Sequence, residues 1–198
     1  MLTTIEKIIF IVLALSCLVT SYFTFRKMLR VIGIGVDKIE WFKVISNWQD
    51  GITAFFSQKT LFKTRPVVGF VHALVAWGFS LYLLVNVFDV LYGFIPNFKF
   101  LPNHFVGDIY RIFVDIFSVL VLLGVFYFLA RRFILKDSRL QIRNPVLVSD
   151  SALKGMKFDS LLVGTFIIVH VGSRFLSASF EIAGSQPDIA QPAANLVA

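Results

Sequence analysis

Hydrophobic positions along this chain gather in long, largely apolar runs separated by short polar, mostly basic connections. Residues 8–25 contain no charged side chain. Residues 67–95 follow Arg65-Pro66, where proline suits a first helical turn, and carry one acid, Asp89, near their far end. Residues 109–135 have Arg111 and Asp115 in their opening turns and are closed by Arg131-Arg132. Residues 158–183 contain Arg174 and Glu181. Crossing a hydrocarbon core of roughly 30 Å takes about 20 apolar residues in a helix, and each run meets that length. The pattern predicts an all-α integral membrane bundle of four transmembrane helices.

A different periodicity occupies the first connection. Trp41, Val44, Ile45, Trp48, Ile52, Phe55 and Phe56 recur at three- and four-residue spacing among Lys38, Glu40, Lys43, Gln49 and Asp50. That arrangement predicts an amphipathic helix in the headgroup region, with its tryptophans at the interface. A docking surface for a soluble partner is the alternative.

Composition supports residence in lipid. The chain has 198 residues, 57% of them hydrophobic and 16% charged, with a mean hydropathy of +0.80. Polar surface is too scarce to cover a soluble domain of that size. The net charge of +7 would suggest nucleic acid in a soluble protein. Here the charges are topology signals, and no nucleic acid partner is expected.

Arg26, Lys27, Arg30, Lys38, Lys43, Lys59, Lys63 and Arg65 lie between the first two runs. Arg131, Arg132, Lys136, Arg139, Arg143, Lys154 and Lys157 lie between the last two. The second connection offers only Lys99, and 184–198 has no Lys or Arg. The positive-inside bias turns both basic loops to the cytoplasm. The organisation expected is a first span over 1–25 with its N-terminus outside, a basic cytoplasmic loop over 26–65, a three-helix part over 66–183, and an extracytoplasmic loop or tail over 184–198.

Cys17 is the single cysteine, so neither a disulfide framework nor a cysteine cluster for zinc or iron-sulfur is available. The segment Ala14-Leu15-Ser16-Cys17 faintly resembles a lipoprotein processing site, but the apolar run continues to Phe25 before Arg26-Lys27 stop it. The reading is a retained span.

Two of the three histidines fall inside predicted spans, His72 in the second and His170 in the fourth. Ionisable side chains are costly in hydrocarbon, which makes both candidates for a functional site. Helical bundles hold b-type haem through inward-facing imidazoles. The structural alternative is an interhelical hydrogen bond worth about 1 kcal/mol. Arg174 shares the His170 face and needs an anion, either a haem propionate or the carboxylate of Glu181 or Asp115. Gly69 and Gly78 flank His72 where a flat macrocycle or a neighbouring helix could approach.

At ~1.5 Å per residue, His72 lies about 9 Å and His170 about 18 Å from the cytoplasmic ends of their helices, which argues against a shared iron. His104, in the outer connection, reads as a surface residue. Asn86 falls within about 40° of the His72 face, and Asp89 about 100° away. Asp89 and Asp115 lie toward the outer side, as proton-exchanging partners of a quinone headgroup or as interfacial aspartates reaching water.

The stretch Thr64-Arg65-Pro66-Val67-Val68-Gly69-Phe70-Val71-His72-Ala73-Leu74 with Trp77-Gly78-Phe79 resembles the membrane part of heterodisulfide-reductase-like iron-sulfur oxidoreductases. That part is similar to the gamma subunit of respiratory nitrate reductase. The resemblance runs over about residues 23–183, and Val169-His170-Val171-Gly172-Ser173-Arg174 matches it less distinctively.

It implies a bacterial cytoplasmic-membrane cytochrome b segment, with one or two haem b groups, moving electrons between quinone and a cytoplasmic redox subunit. An iron-sulfur partner or an electron-transfer flavoprotein would dock on the basic side. His72 would be a first haem ligand and His170 a ligand of a second. The family's fifth span, its further histidines and its cysteine-rich iron-sulfur motifs do not occur in these residues. The resemblance assigns them to a further segment or another subunit. The alternative function is a haem-free membrane anchor or scaffold of a larger complex.

Overall fold

A computed structural model describes residues 2–34, 40–96, 98, 105–137, 140 and 150–198, the side chains of 150–153 excepted. His104, Lys38, Lys99, Arg139 and Arg143 lie outside the described residues. The described elements are helical: α1 Thr4–Ile32, α2 Trp41–Ser46, α3 Trp48–Ser57, α4 Lys59–Thr64, α5 Pro66–Phe94, α6 Phe105–Leu129, α7 Asp150–Ala183 and α8 Pro192–Val197. A π-helical turn, Ala130–Ile134, extends α6. Four helical stretches are long and apolar enough to cross a bilayer: Thr4–Ile32, Pro66–Phe94, Phe105–Ile134 and Lys154–Ala183. The chain is a multi-pass membrane protein whose apolar helices meet lipid.

Two compact units form, residues 1–59 with 86–100 and residues 60–85 with 101–198, so that α5 contributes to both. In the first unit, α1 begins with a capping box. The Thr3 side chain accepts from the Glu6 amide while the Glu6 carboxylate accepts from the Thr3 amide. No residue of α1 is buried by protein, and its uncharged stretch over residues 8–25 is apolar all round, as a helix surrounded by lipid would be. Three of its hydroxyls bond internally, Ser16 to Val12, Thr20 to Ser16 and Thr24 to Thr20 carbonyls, which satisfies those donors within the helix.

The start of α1 lies against the end of α5. The Leu2 amide donates to the Gly93 carbonyl at 3.2 Å, and the Phe10 and Phe94 rings meet edge-on at 5.5 Å. The amphipathic stretch is two helices rather than one. It breaks at Asn47, whose backbone sits at φ −93°, ψ 15°, a bridge conformation that asparagine accommodates by competing locally for hydrogen bonds. The aromatic residues of α2 and α3 remain exposed, as an interfacial element would have them.

In the second unit, α5, α6 and α7 pack around Tyr82, Val121, Val125 and Val171. Glycines bring α5 and α6 together. A Cβ on Gly78 would overlap the buried Val121 side chain, and one on Gly124 would overlap Val75. A Cβ on Gly69 would come within 3.0 Å of the Leu61 backbone in α4. Both glycines that flank His72 therefore serve helix packing, the commoner use of small residues in bilayer bundles.

The last stretch is more ordered than a loop or tail. Asp188 and Asn195 bond across a turn, and Pro192 opens α8. Ala190 and Ala194 are buried. Small side chains without entropy to lose make this packing possible in a segment with no amphipathic pattern.

Candidate functional site

Pro66 starts α5 and Gly69 lets α4 cross close by, which holds His72 two turns into the helix on the wall of a cleft between α5, α6 and α7. The cleft has a volume of about 630 Å³. Val68, Val75, Val125, Phe128 and Ile167 make it largely apolar, and its lining includes Arg65, Arg131, Arg132 and Asp159. The His72 ring stands edge-on to Phe128 at 6.3 Å between centroids.

The arginines differ in availability. Arg131 is 6% exposed and donates through Nε and Nη2 to Asp137 Oδ2 at 2.7 and 2.5 Å, so its charge is matched. Arg132 donates from Nη2 to the Met156 carbonyl at 3.0 Å. Arg65 is exposed. An apolar cleft edged by cations suits an amphiphilic anion, and an imidazole on its wall could ligate a metal.

His170 occupies a different environment. Its ring lies parallel to Phe166, one turn earlier, at 6.0 Å and 4°. It meets the Tyr82 ring edge-on at 6.1 Å. Its Nε2 is buried and has no hydrogen-bond partner among the described residues. Tyr82 is ten residues beyond His72 on α5, about 15 Å along the axis, so the structure does not bring the two histidines together. His170 lines neither this cleft nor the pocket described next.

Arg174, on the His170 face of α7, lines a second, polar pocket of about 260 Å³ with Asp115, Tyr82, Ser118 and Glu181. Asp115 is committed elsewhere. It is 5% exposed, and its carboxylate accepts from the amides of Ala193 at 2.5 Å and Ala194 at 3.1 Å. The expected aspartate reaching for water is instead the cap of α8. Asp89 is exposed on α5.

Beside that pocket, the Tyr82 and Ser118 hydroxyls lie 2.6 Å apart and Ser118 donates to the Val114 carbonyl. The tyrosine is then the donor to the serine. Sequence reasoning singled out neither Tyr82 nor Ser118, which looked like ordinary residues of apolar spans. Intramembrane polarity at Ser118 was the one available signal. The Arg131 pair was equally hidden, because Asp137 falls beyond the apolar run and only the π-helical turn folds it back.

Among the described residues no group of three or more His, Cys, Asp or Glu side chains could hold a metal ion. The fold and the clefts define a multi-pass helical bundle with an intramembrane histidine on the wall of a basic-edged apolar cleft. Comparison with protein-family models, curated proteins and solved structures returns no match.

Proposed function

We propose that this chain is a membrane cytochrome b segment of an oxidoreductase complex in a bacterial cytoplasmic membrane. It would transfer electrons between quinone and a cytoplasmic iron-sulfur or flavoprotein partner, with its N-terminus outside. The observation that carries the reading is the His72 imidazole on the wall of a cleft of about 630 Å³, apolar inside and edged by Arg65 and Arg132. That volume is typical of cofactor sites.

His72 would ligate the iron, and Arg65 would receive a propionate through a charge-assisted bond. Haem supplies one-electron chemistry when bound. The His72 ring is exposed, and its edge-on contact with Phe128 limits how it turns. Among the described residues the cleft lining holds no second histidine, so any second ligand would come from outside this lining. His170 is the candidate ligand of a second group, supported by its buried Nε2.

A reduced-minus-oxidised visible spectrum and a pyridine haemochrome of the purified membrane protein test this. A b-type absorption that His72→Ala abolishes, while helicity is retained, is expected. Its absence from the wild-type complex would reject the reading. A haem-free anchor is the second reading, supported by the helix-packing use of Gly69 and Gly78. It predicts no b-type signal and normal assembly of the His72→Ala, His170→Ala variant.

A further inference from the structure

Where α6 ends, the chain makes a π-helical turn and then, at Lys136, adopts a left-handed backbone with φ 45°. Lysine rarely adopts that conformation, and π-helical turns recur at functional sites. The result is a second concave site of about 220 Å³ that adjoins the His72 cleft and shares Arg132 and Leu140 with it. Arg132, Lys136 and Lys157 line it with Phe133, Asp137 and Leu140. Asp137 is the one acid among the described residues of that wall, and its Oδ2 already accepts two bonds from Arg131.

We propose that Arg132, Lys136 and Lys157 hold the phosphate of an anionic phospholipid at this end of α6 and α7. Cations at helix ends often reach separately toward water, which needs no ligand. Here three of them, from the end of α6, the residues just beyond it and α7, line one cavity whose remaining walls include the apolar Phe133 and Leu140. The site sits at the boundary of the candidate spans Phe105–Ile134 and Lys154–Ala183, the depth at which phospholipid phosphates lie. Ile134 and Leu135 beside it are 77% and 71% exposed, an apolar surface that an acyl chain would cover. Basic pockets between spans at the cytoplasmic side are the usual form of headgroup recognition. The charge complementarity and the adjoining apolar wall together select a lipid over a soluble anion.

Native mass spectrometry of the full chain, released from detergent after incubation with phosphatidylglycerol or phosphatidylcholine, reads the site directly. Phosphatidylglycerol should remain bound where phosphatidylcholine is stripped, and excess inorganic phosphate should not displace it. Lys157→Gln and Lys136→Gly should each weaken retention roughly fivefold, the effect of removing one basic residue near an anionic headgroup. Lys136→Gly is the safer variant, because glycine accepts the left-handed backbone without strain. Circular dichroism of the same samples verifies that each variant is folded. Equal retention of the two lipids, retention unchanged in both variants, or displacement by inorganic phosphate would overturn the proposal.

Discussion

Asp115, in the third turn of α6, accepts a 2.5 Å hydrogen bond from the amide of Ala193, a residue 78 positions later at the start of α8. Together with the Ala194 amide it satisfies two of the donors that a helix start leaves orphaned. The carboxylate also faces the positive end of α8, although six residues carry only a small dipole. Asp115 is thus the anchor by which the terminal segment is held to the bundle.

Removing that anchor should release α8 without unfolding the spans. Asp115→Ala is expected to cost about 1–2 kcal/mol, the usual worth of a lost cap with a buried unsatisfied amide. Asp115→Asn keeps one acceptor oxygen and should cost less. Hydrogen exchange at the Ala193 and Ala194 amides should accelerate in Asp115→Ala while amides of α6 and α7 keep their protection. Equal acceleration throughout would mean that Asp115 serves the bundle as a whole.

The glycine contacts make a prediction of opposite signs. Gly78→Ala drives a methyl into Val121, which is fully buried and too short and branched to swing away, so α5 and α6 must separate. A cost of about 1–3 kcal/mol is expected, as for other overpacked cores. Gly51, inside α3, has open space where its Cβ would be. Gly51→Ala should stabilise that helix by up to about 1 kcal/mol through propensity alone. Thermal unfolding in one detergent compares the two variants.

The spans were legible because length and apolarity are local properties: the run over 67–95 corresponds to Pro66–Phe94, and Pro66 marks its start in both. What lay beyond reach was pairing between distant polar groups. Nothing in the neighbourhood of Asp115 or of Ala193 announces the other, and the terminal segment lacks the periodicity that would mark a helix. The break at Asn47 was missed because an apolar period continues across it even though the backbone does not. At the site, the residue types were readable and their separation was partly so, since depth along each helix already set His72 and His170 apart. The cleft itself was not, because it is made by which faces of α5, α6 and α7 meet.

Tyr82 offers a third test. Its hydroxyl, 2.6 Å from Ser118, is buried with a ring only 1% exposed. Tyr82→Phe leaves Ser118 bonded to the Val114 carbonyl, so no donor is stranded. The loss should be about 1 kcal/mol, the ordinary scale of one intramembrane side-chain bond. Ser118→Ala removes the acceptor of the tyrosine hydroxyl in the core and should cost more. The two variants ranked by midpoint of thermal unfolding decide whether Tyr82 is the donor.

Arg131 and Asp137 supply the largest predicted effect. Their side chains are 8% and 24% exposed, and two hydrogen bonds join them at the end of the π-helical turn. An ion pair so withdrawn from water adds little relative to an apolar pair, but breaking it from one side leaves a charge that the surroundings cannot solvate. Asp137→Ala should therefore cost on the order of 3 kcal/mol, reduced somewhat by the carboxylate's partial exposure. Arg131→Leu with Asp137→Leu together should recover most of that loss, since no charge is then buried alone. Unfolding of both single variants and the double variant closes the cycle. A double variant as unstable as the sum of the singles would mean that the two residues do not interact, and that the turn at Lys136 is held by the backbone alone.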